Sequence, residues 1–125
     1  MQILLDTHIV CWHFYEPNRL PAKARQLMIE AEGVFVSSAS IWEIAIKARL
    51  GKINANAQRI VERLEAGGFE ELPVLARRAV IVADLPLHHT DPFDRLLIAQ
   101  AVSEHLHLLT VDPQLKQYSE LVIQV

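Results

Sequence analysis

The chain opens Met1-Gln2-Ile3-Leu4-Leu5-Asp6-Thr7, and this stretch decides the fold class. Ile3-Leu4-Leu5 is an apolar run without polar alternation, the pattern of a strand buried on both faces. Asp6 and Thr7 end the run and offer side-chain oxygens to cap a helix, predicted over 7–15. A doubly buried strand followed at once by a helix is the opening half of a βαβ unit.

Working outward, the same alternation repeats. Pro21 fits the first turn of a helix over 21–32, closed by Gly33. Val34-Phe35-Val36 supplies a second strand. Ser37 to Ser40 turn into a helix running to about Leu50 and ended by Gly51, and a further helix over 55–66 stops at Gly67-Gly68. Residues 69–74 give a weak strand, 75–84 a short helix and 87–92 a loop. Pro92 begins a helix through about Glu104, followed by a strand over 108–111. Asp112-Pro113 starts a short helix, and 121–125 is the last strand. This order predicts one α/β domain over 1–125, with a mostly parallel sheet flanked by helices.

Composition sets further bounds. Of 125 residues, 51% are hydrophobic, which suits a folded chain with a real core. Charge interrupts every apolar stretch before the roughly 18 residues a membrane span needs. The first residues lack the basic flank and small-residue cleavage site of a signal peptide. Cys11 has no cysteine to pair with, so a reducing compartment, the cytoplasm, is expected. The net charge is −3, with seven Lys/Arg against six Asp/Glu in residues 1–62 and five against nine in 63–125. A protein that grips nucleic acid through phosphate contacts alone carries a basic excess. Here bound cations would have to supply that charge.

Ligands of parallel α/β sheets bind at the carboxyl ends of the strands, so the residues just after each strand matter most. Asp6 follows the first strand, Glu43 falls on the first predicted turn after the second, Asp91 and Asp94 head the helix over 92–104, and Asp112 follows the strand over 108–111. Each also has a purely structural reading. Ser40-Ile41-Trp42-Glu43 matches a capping box. Asp91-Pro92-Phe93-Asp94 reads as an Asp cap, Pro at the first helical position and an acid in the first turn. Asp112-Pro113 repeats the start signal, and Asp6 caps the first helix.

The case for chemistry rests on the set. Several carboxylates converging without a cation would repel, and some would hold protons near neutral pH. A hard cation such as Mg²⁺ takes carboxylate and phosphate oxygens and relieves that repulsion. It also polarises a phosphoryl oxygen and activates water. No Cys or third His stands at zinc spacing beside His88-His89, and those two are expected as loop lining or solvated residues. Lys47, Arg49 and Lys52 are candidates for phosphate-backbone contact, although Lys47 also stands at ion-pair spacing from Glu43. Arg95 either touches the phosphate backbone or stabilises its loop.

Four stretches resemble PIN-domain proteins in order and spacing, and VapC-like toxins of toxin–antitoxin pairs in particular. They are Ile3-Leu-Leu-Asp6-Thr7, Val36-Ser-Ser-Ala-Ser40-Ile-Trp-Glu43-Ile-Ala-Ile-Lys47, Asp91-Pro-Phe-Asp94-Arg-Leu-Leu-Ile-Ala and Leu109-Thr110-Val-Asp112. The resemblance covers essentially the whole chain. It implies a five-stranded parallel sheet and a Mg²⁺- or Mn²⁺-dependent endoribonuclease. Asp6, Glu43 and Asp94 match the three principal acidic positions and Asp112 the fourth, more variable one. Asp91, Arg95 and Lys47 are accessory candidates. The resemblance also implies homodimers and a cognate antitoxin whose tail masks the acidic groove.

Two rivals follow from the residues. An aspartyl-phosphate phosphatase of the haloacid-dehalogenase kind also ends its first strand on Asp, but it needs a second acid two positions on, where this chain has His8. A non-catalytic RNA-binding or regulatory module would use the acids as caps only. Without metal, however, its acidic edge would repel RNA.

Overall fold

Ile3, Leu4 and Leu5 are all completely buried, as a strand covered on both faces requires. In the computed structural model, which describes residues 1–125, they belong to β1 (Gln2–Leu5). The sheet continues with β2 (Gly33–Ser37), β3 (Phe69–Leu72), β4 (His107–Thr110) and β5 (Val122–Gln124). The strand order is β3-β2-β1-β4-β5, and every pairing is parallel. All carboxyl ends therefore share one edge. The chain builds outward from β1 to β3 and then crosses to β4, so the topological switch lies between β1 and β4.

Six α-helices flank the sheet: α1 (Thr7–Tyr15), α2 (Ala22–Glu30), α3 (Ser38–Arg49), α4 (Ala57–Leu64), α5 (Ala76–Ala79) and α6 (Pro92–Glu104). The period-two alternation of β1 splits the core. Ile3 and Leu5 pack with Ile9 of α1, Ala24 of α2, Ile44 of α3 and Ile60 of α4. Leu4 points the other way, into Leu97, Ile98 and Ala101 of α6.

Several predicted boundaries move. Pro21 is the cap of α2 and not part of its first turn. Residues 75–84 divide into α5 and a 3₁₀ turn over Val80–Asp84, and Asp112-Pro113 opens a 3₁₀ turn rather than an α-helix. At the end of α6, His105 takes a left-handed conformation (φ 56°). The helix stops there and β4 begins two residues later.

Candidate metal centre

Asp6 emerges from β1 directly beside β4, and its backbone N–H donates to the Leu109 carbonyl at 3.0 Å. Its side chain does two jobs. Oδ1 accepts from the Ile9 amide at 3.1 Å, capping α1, while Oδ2 accepts from the Thr110 hydroxyl. Asp6 is only 2% exposed. Burial raises its carboxyl above the ordinary range, against the lowering effect of the Thr110 and Ile9 hydrogen bonds. The Thr110 oxygen also accepts from the Asp112 amide at 3.0 Å, so one hydroxyl links the acids after β1 and β4.

Glu43 is reached from β2. The predicted capping box is not what starts α3. Ser37, at the extended end of β2, takes the cap, and its hydroxyl accepts from the Ala39 amide at 3.0 Å. Ser40 lies inside the helix, fully buried, where its oxygen accepts from the Thr7 hydroxyl at 3.0 Å. The helix therefore begins earlier than expected, and Glu43 lies on its second turn rather than its first. Glu43 is buried, and its Oε2 accepts from Lys47 Nζ at 2.5 Å. Its Oε1 is buried without any hydrogen-bond partner. The bond to Glu43 raises the Lys47 ammonium, which Asp91 and Asp94 also favour by charge.

Asp91 caps α6 as read from the sequence, with Oδ1 accepting from the amides of Phe93 (2.9 Å) and Asp94 (3.1 Å). Asp94 is thus freed from capping. Burial pushes its carboxyl up to about 7, helped by the charges of Asp91, Asp6 and Glu43 and opposed by His89. Asp112 caps the following 3₁₀ turn through Oδ1, which accepts from the Gln114 amide at 2.9 Å.

His89, expected as loop lining, proves to be part of the cluster. Its Nε2 lies 3.1 Å from Asp94 Oδ2 and 3.5 Å from Asp112 Oδ2. Ligand atoms of these three residues all fall within 4.8 Å of one another. Asp6 and Glu43 lie outside that tight group and act on Asp94 through charge. His88 is exposed and sets its ring edge-on to Tyr118, with centroids 5.1 Å apart.

The structure decides between the two expectations for Arg95. The side chain is buried, and its guanidinium donates to the carbonyls of Val82 (2.9 Å), Leu85 (3.2 Å) and Pro86 (2.8 Å). It holds the 82–89 segment and does not face solvent. Lys47 is committed to Glu43, while Arg49 stays exposed on the last turn of α3. Lys52 lines the largest cavity, about 590 Å³, alongside α1 with His8, Trp12, Tyr15 and Arg19. That cavity is separate from the carboxylates.

The residues present fit a hard divalent cation. The donors are carboxylate oxygens, two acids are held above their ordinary range, and Glu43 keeps a buried oxygen that no protein group serves. An orphaned buried acceptor is uncommon in folded proteins and calls for a missing partner.

A parallel α/β domain with an acidic centre at its switch point is the class that fold and site define. The PIN-domain family model matches residues 3–121. The chain belongs to the PIN-domain family. It is similar to Ribonuclease VapC22 of Mycobacterium tuberculosis (strain ATCC 25618 / H37Rv), with 30% identity over 123 residues, covering 93% of this chain and 91% of that protein. Among solved structures it resembles VapBC2 from Rickettsia felis bound to a DNA fragment from their promoter. The TM-score is 0.71 at 16% identity, over 100% of this chain and 98% of the other. FitAcB from Neisseria gonorrhoeae aligns with a TM-score of 0.61 at 22% identity, over 90% and 89% of the two chains. At those identities the structural likeness establishes the fold.

Proposed function

We propose that this chain is a Mg²⁺- or Mn²⁺-dependent endoribonuclease and the toxin of a toxin–antitoxin pair. The observation that carries the reading is the buried Glu43 Oε1 that no protein group serves, in a region where the charges of Asp6 and Glu43 reach Asp94. Kinship with a protein named as a ribonuclease supports the choice of RNA. Asp6, Glu43 and Asp94 would hold the cation, with Asp112 beside Asp94 through His89. Bound there, a divalent ion supplies Lewis-acid polarisation of the phosphoryl oxygen and an activated water.

The protein's own part is preorganisation. Thr110 and the Ile9 amide fix both oxygens of Asp6, and Asp91 takes the capping role that would otherwise draw Asp94 away. Burial keeps bulk water from screening the acids, so the metal-free site is electrostatically stressed. The amide ends of α1 and α6 open near the site and add positive potential for a phosphate.

The same reading includes a cognate antitoxin that masks the acidic edge, a cytoplasmic location, and a homodimer. Trp42 and Ile46 of α3 and Leu50 at its C-cap recur every four residues and are exposed, forming an apolar stripe suited to a second copy. No helix is long and apolar enough to cross a membrane.

Mapping RNA ends after brief expression, comparing the intact chain with Asp6→Asn, tests the central reading. New ends should appear with the intact chain only, and purified protein should lose cleavage in EDTA. Cleavage that persists in EDTA, or in folded Asp6→Asn, would overturn it.

A further inference from the structure

His89 has the spacing of a metal ligand, yet its other nitrogen argues against that role. Nδ1 accepts hydrogen bonds from the backbone amides of Thr90 (2.9 Å) and Asp91 (3.3 Å). A neutral imidazole has one accepting nitrogen and one N–H. With Nδ1 accepting, the proton belongs on Nε2, which faces Asp94 Oδ2 and Asp112 Oδ2. Ligation through Nε2 would need the opposite tautomer and would aim an Nδ1–H at two amide donors.

The ring is also held from behind. The His89 amide donates to the Tyr118 hydroxyl oxygen at 2.8 Å, and that hydroxyl donates back to the His89 carbonyl at 3.3 Å. Arg95 reaches the same Tyr118 oxygen at 3.2 Å while binding the carbonyls of Leu85 and Pro86. Tyr118 closes the 3₁₀ turn that Asp112 caps, and Arg95 lies on α6 next to Asp94, so the segments that carry Asp112 and Asp94 jointly set the position of His89.

Building on the metal-site reading, we infer that His89 is a positioning residue. It is an Nε2–H donor that spans Asp94 and Asp112 and orients them toward the cation, without being a ligand itself. Asp94 Oδ2, at 3.1 Å, is the nearer acceptor to Nε2, and Asp112 Oδ2 lies at 3.5 Å. Hydrogen bonds to ligating carboxylates are the usual outer support of metal sites, and losing one lowers affinity or activity about 10–100-fold. The ligand set at this position is then oxygen only, which suits Mg²⁺ and Mn²⁺ and gives no special advantage to zinc.

The test is long-range proton–nitrogen NMR of the histidine rings in ¹⁵N-labelled protein, with His89 assigned by the signal missing in His89→Gln. The expected result is the Nε2–H tautomer both without metal and with saturating Mg²⁺ or Zn²⁺. An Nδ1–H tautomer in either state would overturn the proposal by leaving Nε2 free to accept. Cleavage supplies the second arm. His89→Ala should lose about 10–100-fold, and His89→Gln, which keeps an amide donor of similar reach, should recover most of that. His89→Ala as active as the parent, or no recovery in His89→Gln, would equally overturn it. If Mg²⁺ binds nowhere on the protein, the metal-site reading fails, yet the tautomer measured without metal still judges His89.

Discussion

Lys47 sits one helical turn beyond Glu43 on α3 and binds one of its two carboxylate oxygens at 2.5 Å, while the other is left buried and alone. The pair is therefore half a site. A lysine neutralises the charge, and the unserved oxygen waits for a second partner.

Removing the lysine exposes that arrangement. Losing one partner of a buried pair costs about 3–5 kcal/mol, and the one-third exposure of Lys47 lowers the expectation for Lys47→Met to roughly 1–3 kcal/mol without metal. Mg²⁺ should then raise the melting temperature of Lys47→Met more than that of the parent, because the cation takes over neutralisation. Equal shifts in the two proteins would show that Glu43 is not a ligand.

Asp94 makes the metal-free chain sensitive to pH. Folded, its carboxyl holds a proton up to about pH 7, while unfolded it lets go near about pH 4. Between those values the folded state binds more protons, so stability falls as pH rises. Cation binding requires the ionised carboxylate and should tighten over the same interval. Melting temperatures in EDTA should drop from about pH 5 to about pH 7.5, and Asp94→Asn should flatten the drop while Asp91 keeps α6 capped. A rise with pH in EDTA, or an unchanged slope in Asp94→Asn, would contradict the assignment.

What was legible in the sequence follows from range. The Asp91-Pro92 start of α6 and the apolar run of β1 are local signals, and the structure has both. The start of α3 was misplaced because Ser37, Ser38 and Ser40 all suit a cap, and the contact from Thr7 that draws Ser40 inside crosses 33 residues. Asp6 and Thr110 meet across 104 residues, so Asp6 could be named from its strand end but its hydrogen-bond partner could not. His89 was missed as a site member for the same reason. Its backbone is held by Tyr118 across 29 residues, and nothing in His88-His89 itself tells which ring turns inward.

Arg95 illustrates the converse, a charge that the sequence leaves between a phosphate contact and loop support and whose burial favours the loop. Arg95→Lys keeps the charge but loses the planar fork that serves several carbonyls, so stability should fall by roughly 1–3 kcal/mol. In Arg95→Gln, which removes the charge, the salt dependence of RNA binding should not change, whereas a lost phosphate contact would reduce the slope by about 1. A folded Arg95→Gln protein with a shallower salt slope would restore the phosphate-contact reading.

The last prediction sets the two roles of Asp6 against each other. Asp6 caps α1 and also stands among repelling acids, so a substitution that keeps the cap but removes the charge separates them. Asn does this, since its carbonyl oxygen can still accept from Ile9 while its amide donates to the Thr110 oxygen. Without metal, Asp6→Asn should melt at the same temperature as the parent or higher, because repulsion is relieved. With Mg²⁺ at a hundred times its dissociation constant, the parent should gain about 2.7 kcal/mol, and Asp6→Asn clearly less. For a domain of this size that gain is a rise of roughly 10 °C, well within reach of a melting experiment. A cap alone predicts the reverse pattern: a neutral or slightly lower melting temperature for Asp6→Asn, and no metal shift in either protein. Four melting curves decide it, and a parent unmoved by millimolar Mg²⁺ or Mn²⁺ would leave Asp6 as a helix cap and no more.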